Sequence, residues 1–206
     1  MVTTDLTTFL LIRHGVTDQL GVVVSGRASG NGLNEEGRRQ AADLAGRLQG
    51  LRIGAIYSSP LDRTLETAAP LARRLGLEVR THPRLVEIDY GQWTGVPLAV
   101  LRADDRWRRY NEQRSRARAP GGEMMLEAQV RAVAALEAMY EAHPEGLVAV
   151  VSHGDVIRAA VAHYCGVPLD LSQRLEIAPA SVSALELAPE RTRLLLLNHV
   201  GAVPLA

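Results

Sequence analysis

Phe9-Leu10-Leu11-Ile12-Arg13-His14-Gly15 is a short, unbroken apolar run that stops abruptly on an arginine, a histidine and a glycine. A run of this length without polar alternation is the pattern of a strand buried on both faces of a parallel sheet. The pattern returns at Leu147-Val148-Ala149-Val150-Val151-Ser152-His153-Gly154. Strands that both end in His-Gly bring two imidazoles to the carboxyl edge of a sheet, where open α/β folds bind ligands. Gly15 and Gly154 are expected to let backbone approach that ligand closely.

Helical periods separate these runs, which argues for α/β order. Asn34 is placed to cap a helix in which Ala41, Leu44, Ala45 and Leu48 recur at helical spacing before Gly50. Ile53 to Tyr57 reads as a second strand. Ser58-Ser59-Pro60 then supplies a cap and a proline near the first turn for a helix running to Gly76. Leu85 to Gly95 is turn-rich, with acidic and aromatic residues. Leu101 to Arg118 carries many arginines and reads as a mobile excursion from the sheet, whose arginines either face solvent or line a cleft. A long helix follows from Glu123 to Ala142, another spans Asp155 to Tyr164, and Ser181–Leu187 and Arg193–Leu197 form a terminal hairpin.

The 206 residues are 47% hydrophobic and 22% charged, the composition of a folded protein, expected to be one domain over 1–206. Basic and acidic residues balance at 23 each, so no overall field favours nucleic acid or an anionic membrane. Every basic residue is arginine. Cys165, the only cysteine, excludes an internal disulfide and a thiolate metal cluster and suits a cytoplasmic location. Met1 to Thr8 lacks the features of a signal peptide. The six histidines show no paired ligand spacing, so neither a metal nor another cofactor is expected. Arg13, and Arg63 in the first turn of the helix after the second strand, join the two histidines in a set that suits phosphate, whose oxygens guanidinium forks bind in pairs.

With these motifs in order, the chain resembles the histidine phosphatase superfamily, which includes the cofactor-dependent phosphoglycerate mutases. The resemblance rests on Leu11 to Thr17, Ser58 to Ala68, Leu85 to Gly95 and Val151 to Gly154. It implies a three-layer sandwich with a mostly parallel central sheet, helices on both faces and a variable cap at about 93–122. It further implies that His14 is a nucleophile forming a phosphohistidine. Arg13, Arg63 and His153 complete the phosphate pocket, and Glu87 is the proton donor to the leaving oxygen. Ser25, Gly26 and Tyr90 match further substrate contacts, whereas Asn31 to Gly37 reads as turn and helix cap. Two guanidiniums and an imidazolium would then replace a metal ion in neutralising the transferring group. His14 must be unprotonated at the attacking nitrogen, which requires an acceptor for its other ring N–H.

The sequence departs from the family at Leu20, where an asparagine usually donates to the phosphate, and in having no lysine after the proton donor. The stretch from Glu87 to His153 is also shorter than a mutase requires. These departures favour a metal-independent phosphatase acting on a small phosphorylated metabolite over a phosphoglycerate mutase. A non-catalytic phospho-ligand binding protein is a third reading. Inward-facing arginines in the cap would imply a second anionic group on the substrate. A homodimer through a sheet edge or the C-terminal strands is compatible with the sequence.

Overall fold

The computed structural model describes residues 6–205; most of the N-terminal stretch read for targeting lies outside them. Strand β1 (Thr7–Arg13) is flanked by β4 (Leu147–Ser152) in parallel and β5 (Val182–Ala188) in antiparallel register. With β2 (Ala55–Ser58), β3 (Val79–Thr81) and β6 (Arg191–His199) they form a six-stranded sheet in the order β3-β2-β4-β1-β5-β6. The first four neighbours are parallel and the terminal hairpin adds the antiparallel edge.

Helices cover both faces. Leu10 and Ile12 of β1 point to α1 (Glu35–Leu48) and α2 (Asp62–Leu75), packing with Leu44, Leu48, Ala68 and Leu71. Phe9 and Leu11 point the other way, into a core with α5 (Met125–Ala142) and α6 (Gly154–Tyr164). Burial on both faces explains why Phe9 to Ile12 of β1 are all apolar rather than alternating. Asn34 caps α1 as expected, its side chain accepting from the Gly37 N–H at 2.9 Å.

The start of α2 differs from expectation. Its N-cap is Leu61, without a side-chain cap bond, and Pro60 lies just outside the helix. The Ser59 hydroxyl lies 2.8 Å from His153 Nε2 and accepts from the Leu61 N–H at 3.5 Å, one residue ahead of the helix. The helix ends as read, at Gly76 with φ of 67°.

The segment read as a mobile excursion begins at the last residue of a short helix, α3 (Leu98–Leu101), and contains a second, α4 (Asp105–Glu112). Tyr110 is fully buried, and Trp93, Trp107 and Tyr90 surround it with ring centroids 5.4–6.2 Å from its own. The density of arginines masked this apolar anchor. Of those arginines only Arg114 is buried, while Arg102, Arg106, Arg108, Arg109, Arg116 and Arg118 are exposed. Among the described residues, no helix is long and apolar enough to cross a membrane.

Candidate active site

Register brings the candidate residues together. Arg13 pairs with Ser152 across β1 and β4, so the next residues, His14 and His153, emerge side by side. Their rings meet edge to face at 5.3 Å. Ser58 of β2 pairs with Val151, which sets Ser59 against His153. A cavity of about 280 Å³ opens beside them, lined by Arg13 and His14 at the end of β1 and by Arg63 and Asp155 from the helices that follow β2 and β4, while Ser59 and His153 are not among its lining residues.

His14 is 5% exposed, and its Nδ1 lies 2.7 Å from the Gly15 carbonyl oxygen. A carbonyl only accepts, so Nδ1 carries the proton and Nε2 keeps its lone pair. This is the acceptor the sequence reading required. Burial, reinforced by the positive charge of Arg63, pulls the His14 pKa down to about 3. The imidazole is therefore neutral across the physiological range.

Gly15 has a different task from the one expected. A Cβ there would lie 2.7 Å from the Gly37 carbonyl oxygen, and one on Gly37 would lie 2.1 Å from that of Val16. The glycines let the loop after β1 touch the first turn of α1, which fixes His14 from behind. Gly154 also makes room for protein: a Cβ would stand 3.1 Å from Nε of Arg13.

Arg13 donates to the Ile177 carbonyl at 2.5 Å, and its buried Nε has no protein partner. Arg63, 2% exposed, gives Nη2 to the Gly26 carbonyl at 2.8 Å, while its buried Nη1 has no protein partner. Buried donors without partners are costly, and an anion satisfies them. Gly26 therefore orients Arg63. Ser25 and Thr17 line the cavity alongside it, as does Leu20 at the departure from the family pattern. Asn31, read as part of a turn, also lines the cavity, and its buried Nδ2 has no partner. It offers the amide donor that Leu20 lacks.

Glu87 follows a short helical turn, Pro83–Leu85. Its position is held through the backbone: Arg131 of α5 donates to the carbonyls of Arg84, Val86 and Glu87, and is itself bonded to Glu123 at 2.7 Å. The carboxyl accepts from the Ile88 N–H at 2.9 Å and lies 3.8 Å from His153 Nδ1. Burial raises its pKa, the negative charge of Asp155 raises it further, and Arg63 and Arg13 only partly offset this.

Asp155 shares the cavity but is shifted in the opposite direction. Burial works to raise its pKa, yet Arg114, Arg158 and the Tyr90 hydroxyl outweigh burial and hold it well below the usual carboxylate range. Carboxyls whose environments push their pKa values apart divide acid and anion roles between them. Tyr90 lines the cavity as expected, with its hydroxyl fixed on Asp155 at 2.6 Å.

His153, expected in the phosphate pocket, is fully buried beside His14 and is not among the residues that line the cavity. Burial, with Arg63 and His14 beside it, holds its pKa well below the ordinary value, whereas a bound dianion works in the opposite direction. His82, His143, His163 and His199 likewise line no part of the cavity.

These shifts have a consequence for stability. The depressed pKa values of His14 and His153 stabilise the fold above the unfolded value near 6.5, and that contribution is lost as pH falls, for His14 down to about 3. The depressed Asp155 adds to the loss at still lower pH. Glu87, raised, favours the fold below its unfolded value and loses that contribution as pH rises through its folded value. Denaturant titration from pH 7 to 4 is therefore expected to show falling stability, with a shallower slope for His14→Asn. Equal slopes would contradict the buried, neutral state of His14.

The model of the histidine phosphatase superfamily, branch 1, matches residues 9–200. Phosphoserine phosphatase 1 of Hydrogenobacter thermophilus is 33% identical over 200 residues, covering 93% of each chain. The "Probable phosphoglycerate mutase GpmB" of Cronobacter sakazakii is 33% identical over 178 residues, covering 85% of this chain and 83% of its own. A mycobacterial glucosyl-3-phosphoglycerate phosphatase superposes with a TM-score of 0.86 at 28% identity, over 94% of this chain and 99% of that one. This chain belongs to the histidine phosphatase superfamily, branch 1, and is an enzyme of the phosphoric monoester hydrolase class.

Proposed function

We propose that the chain is a metal-independent phosphatase that hydrolyses a small phosphomonoester through a phosphohistidine on His14, with Glu87 as proton donor. The observation that carries this reading is the content of one cavity. It holds an imidazole with a free Nε2, buried guanidinium N–H groups with no protein partner and a carboxyl whose pKa burial raises.

In the first half-reaction Nε2 of His14 attacks phosphorus while the bond to the leaving oxygen breaks. Glu87 gives its proton to that oxygen, releasing an alcohol. Arg13 and Arg63 neutralise charge on the equatorial oxygens, where electrostatic stabilisation does most of the work of phosphoryl transfer. In the second, the Glu87 carboxylate takes a proton from water, water oxygen attacks phosphorus, and the N–P bond breaks to return neutral His14 and phosphate. The cavity runs from buried His14 to exposed Gly21, which gives water a route to the intermediate.

A mutase is the second reading, favoured by the relative of that name. It requires the phosphoryl group to return to the organic product rather than to water. The discriminating experiment follows an aryl phosphate, 3-phosphoglycerate and phosphoserine with EDTA present throughout. Release of phosphate undiminished by EDTA is expected, exceeding any interconversion of 3- and 2-phosphoglycerate. Faster interconversion would establish the mutase, and binding without turnover would establish a phospho-ligand binding protein. We further infer a one-domain organisation over 1–206 and a cap at about 93–122 that closes over the leaving group.

A further inference from the structure

Among the described residues, three of the side chains that line the cavity carry a buried N–H group with no protein partner: Arg13 at Nε, Arg63 at Nη1 and Asn31 at Nδ2. The first two are charged donors of the kind expected around a phosphoryl group. The third is neutral and comes from a segment that reads, as sequence, as turn and helix cap. Asn31 is 6% exposed, and a buried amide N–H without an acceptor is costly to keep. The other two side-chain amides of the lining are engaged within the protein. Asn111 donates from Nδ2 to the Trp107 carbonyl at 2.8 Å and accepts from Arg114 at 2.9 Å, and the Gln173 amide lies 2.6 Å from Asn111 Oδ1.

The loop that bears Asn31 is tied to the helix that bears Arg63. The Gly30 N–H donates to Asp62 Oδ2 at 3.1 Å, and the Leu33 N–H donates to Glu66 Oε2 at 2.8 Å. Asp62, Arg63 and Glu66 share the first turns of α2, so the backbone on either side of Asn31 is anchored next to Arg63. These bonds need no ligand, and they set the amide and the guanidinium in advance of one. A phosphoryl group in transfer spreads its charge over three equatorial oxygens. The three unpartnered donors, one each from β1, α2 and this loop, match that number. An amide adds a hydrogen bond without adding a positive charge, so it strengthens the site without increasing repulsion between Arg13 and Arg63.

We propose that Asn31 is a phosphate-binding residue whose Nδ2 donates to a non-bridging oxygen of the phosphoryl group, beside Arg63. The inference rests on the phosphatase reading of the same cavity. It gives the loop between β1 and α1 a part in binding that its turn and cap residues do not announce.

The test titrates inorganic phosphate by calorimetry into wild type, Asn31→Ala and Asn31→Leu, the last of which keeps the side-chain volume and removes the donor. It also measures thermal unfolding of each with and without phosphate, and steady-state turnover of an aryl phosphate. Both variants are expected to bind phosphate about tenfold or more weakly, the size of a hydrogen bond to a charged group, with kcat/KM falling in parallel. Since Nδ2 has no partner in the protein, Tm without phosphate should stay within about 3 °C of wild type or rise, while the increase in Tm that phosphate produces shrinks. Phosphate affinity within about twofold of wild type in a folded variant would overturn the proposal. Failure of both variants to fold would also overturn it, by assigning the amide to the fold. Failure of the phosphatase reading is distinguishable: a wild type that binds phosphate through Asn31 but turns over no phosphomonoester removes that reading alone. A wild type that turns over substrate, with variants that bind phosphate as tightly, removes the Asn31 proposal alone.

Discussion

His14→Ala is expected to lower turnover of any phosphomonoester by about 10⁴-fold or more, because it removes the atom that bonds to phosphorus. The loss should appear in kcat, with ligand binding retained to within about tenfold. Arg13 and Arg63, proposed to bind the phosphate, are held independently of His14, since their fixed contacts are to the carbonyls of Ile177 and Gly26. Steady-state kinetics with calorimetry of the variant checks both parts. Residual activity near a tenth of wild type would mean that water attacks phosphorus directly and that His14 only binds.

Glu87→Gln is expected to cost about 10²–10⁴-fold on an alkyl phosphate, the usual range for loss of a general acid. On an aryl phosphate the loss in the first half-reaction should be much smaller, because a phenolate leaves without a proton. The isosteric amide keeps an oxygen that can accept from the Ile88 N–H, so the surrounding backbone is not disturbed. The pH profile carries the same information with a definite sign. Burial and Asp155 raise the Glu87 pKa, so the acid form persists above the ordinary carboxylate range and kcat/KM for an alkyl phosphate should fall as pH rises through the raised value. Equal losses on alkyl and aryl substrates, or no alkaline limb, would remove Glu87 from this role.

Much of this architecture was legible because local signals and burial agree. The runs at Phe9 and Leu147 are apolar throughout because both faces of β1 and β4 are covered, and each ends at the residue its motif announces. Asn34 and Gly76 mark helix ends through backbone chemistry that needs no tertiary context. Strand β3 was not legible: its three residues, Val79 to Thr81, include only one apolar side chain, and pairing with β2 alone defines it. The cap was misread because Leu101, Trp107 and Tyr110 bury the inner side of a segment whose exposed residues are mostly charged.

At the site, the residues adjoining strand ends were readable, and those assembled from distant segments were not. Arg114 reaches Asp155 across 41 positions, and Arg131 reaches the carbonyls of 84, 86 and 87 across more than 40. Nothing local to either arginine announces its partner. The even balance of charge across the chain also conceals the positive surplus of the cavity, which exists only because folding gathers four arginines around it.

The most direct test of the account is to quench the enzyme during turnover of its substrate under alkaline conditions, which preserve phosphohistidine, and to locate the phosphoryl group by mass spectrometry. The account predicts a phosphoryl group on Nε2 of His14, formed and consumed at least as fast as the steady-state turnover. A phosphoryl group on His153, or turnover with no phosphorylated residue at any time, would contradict it.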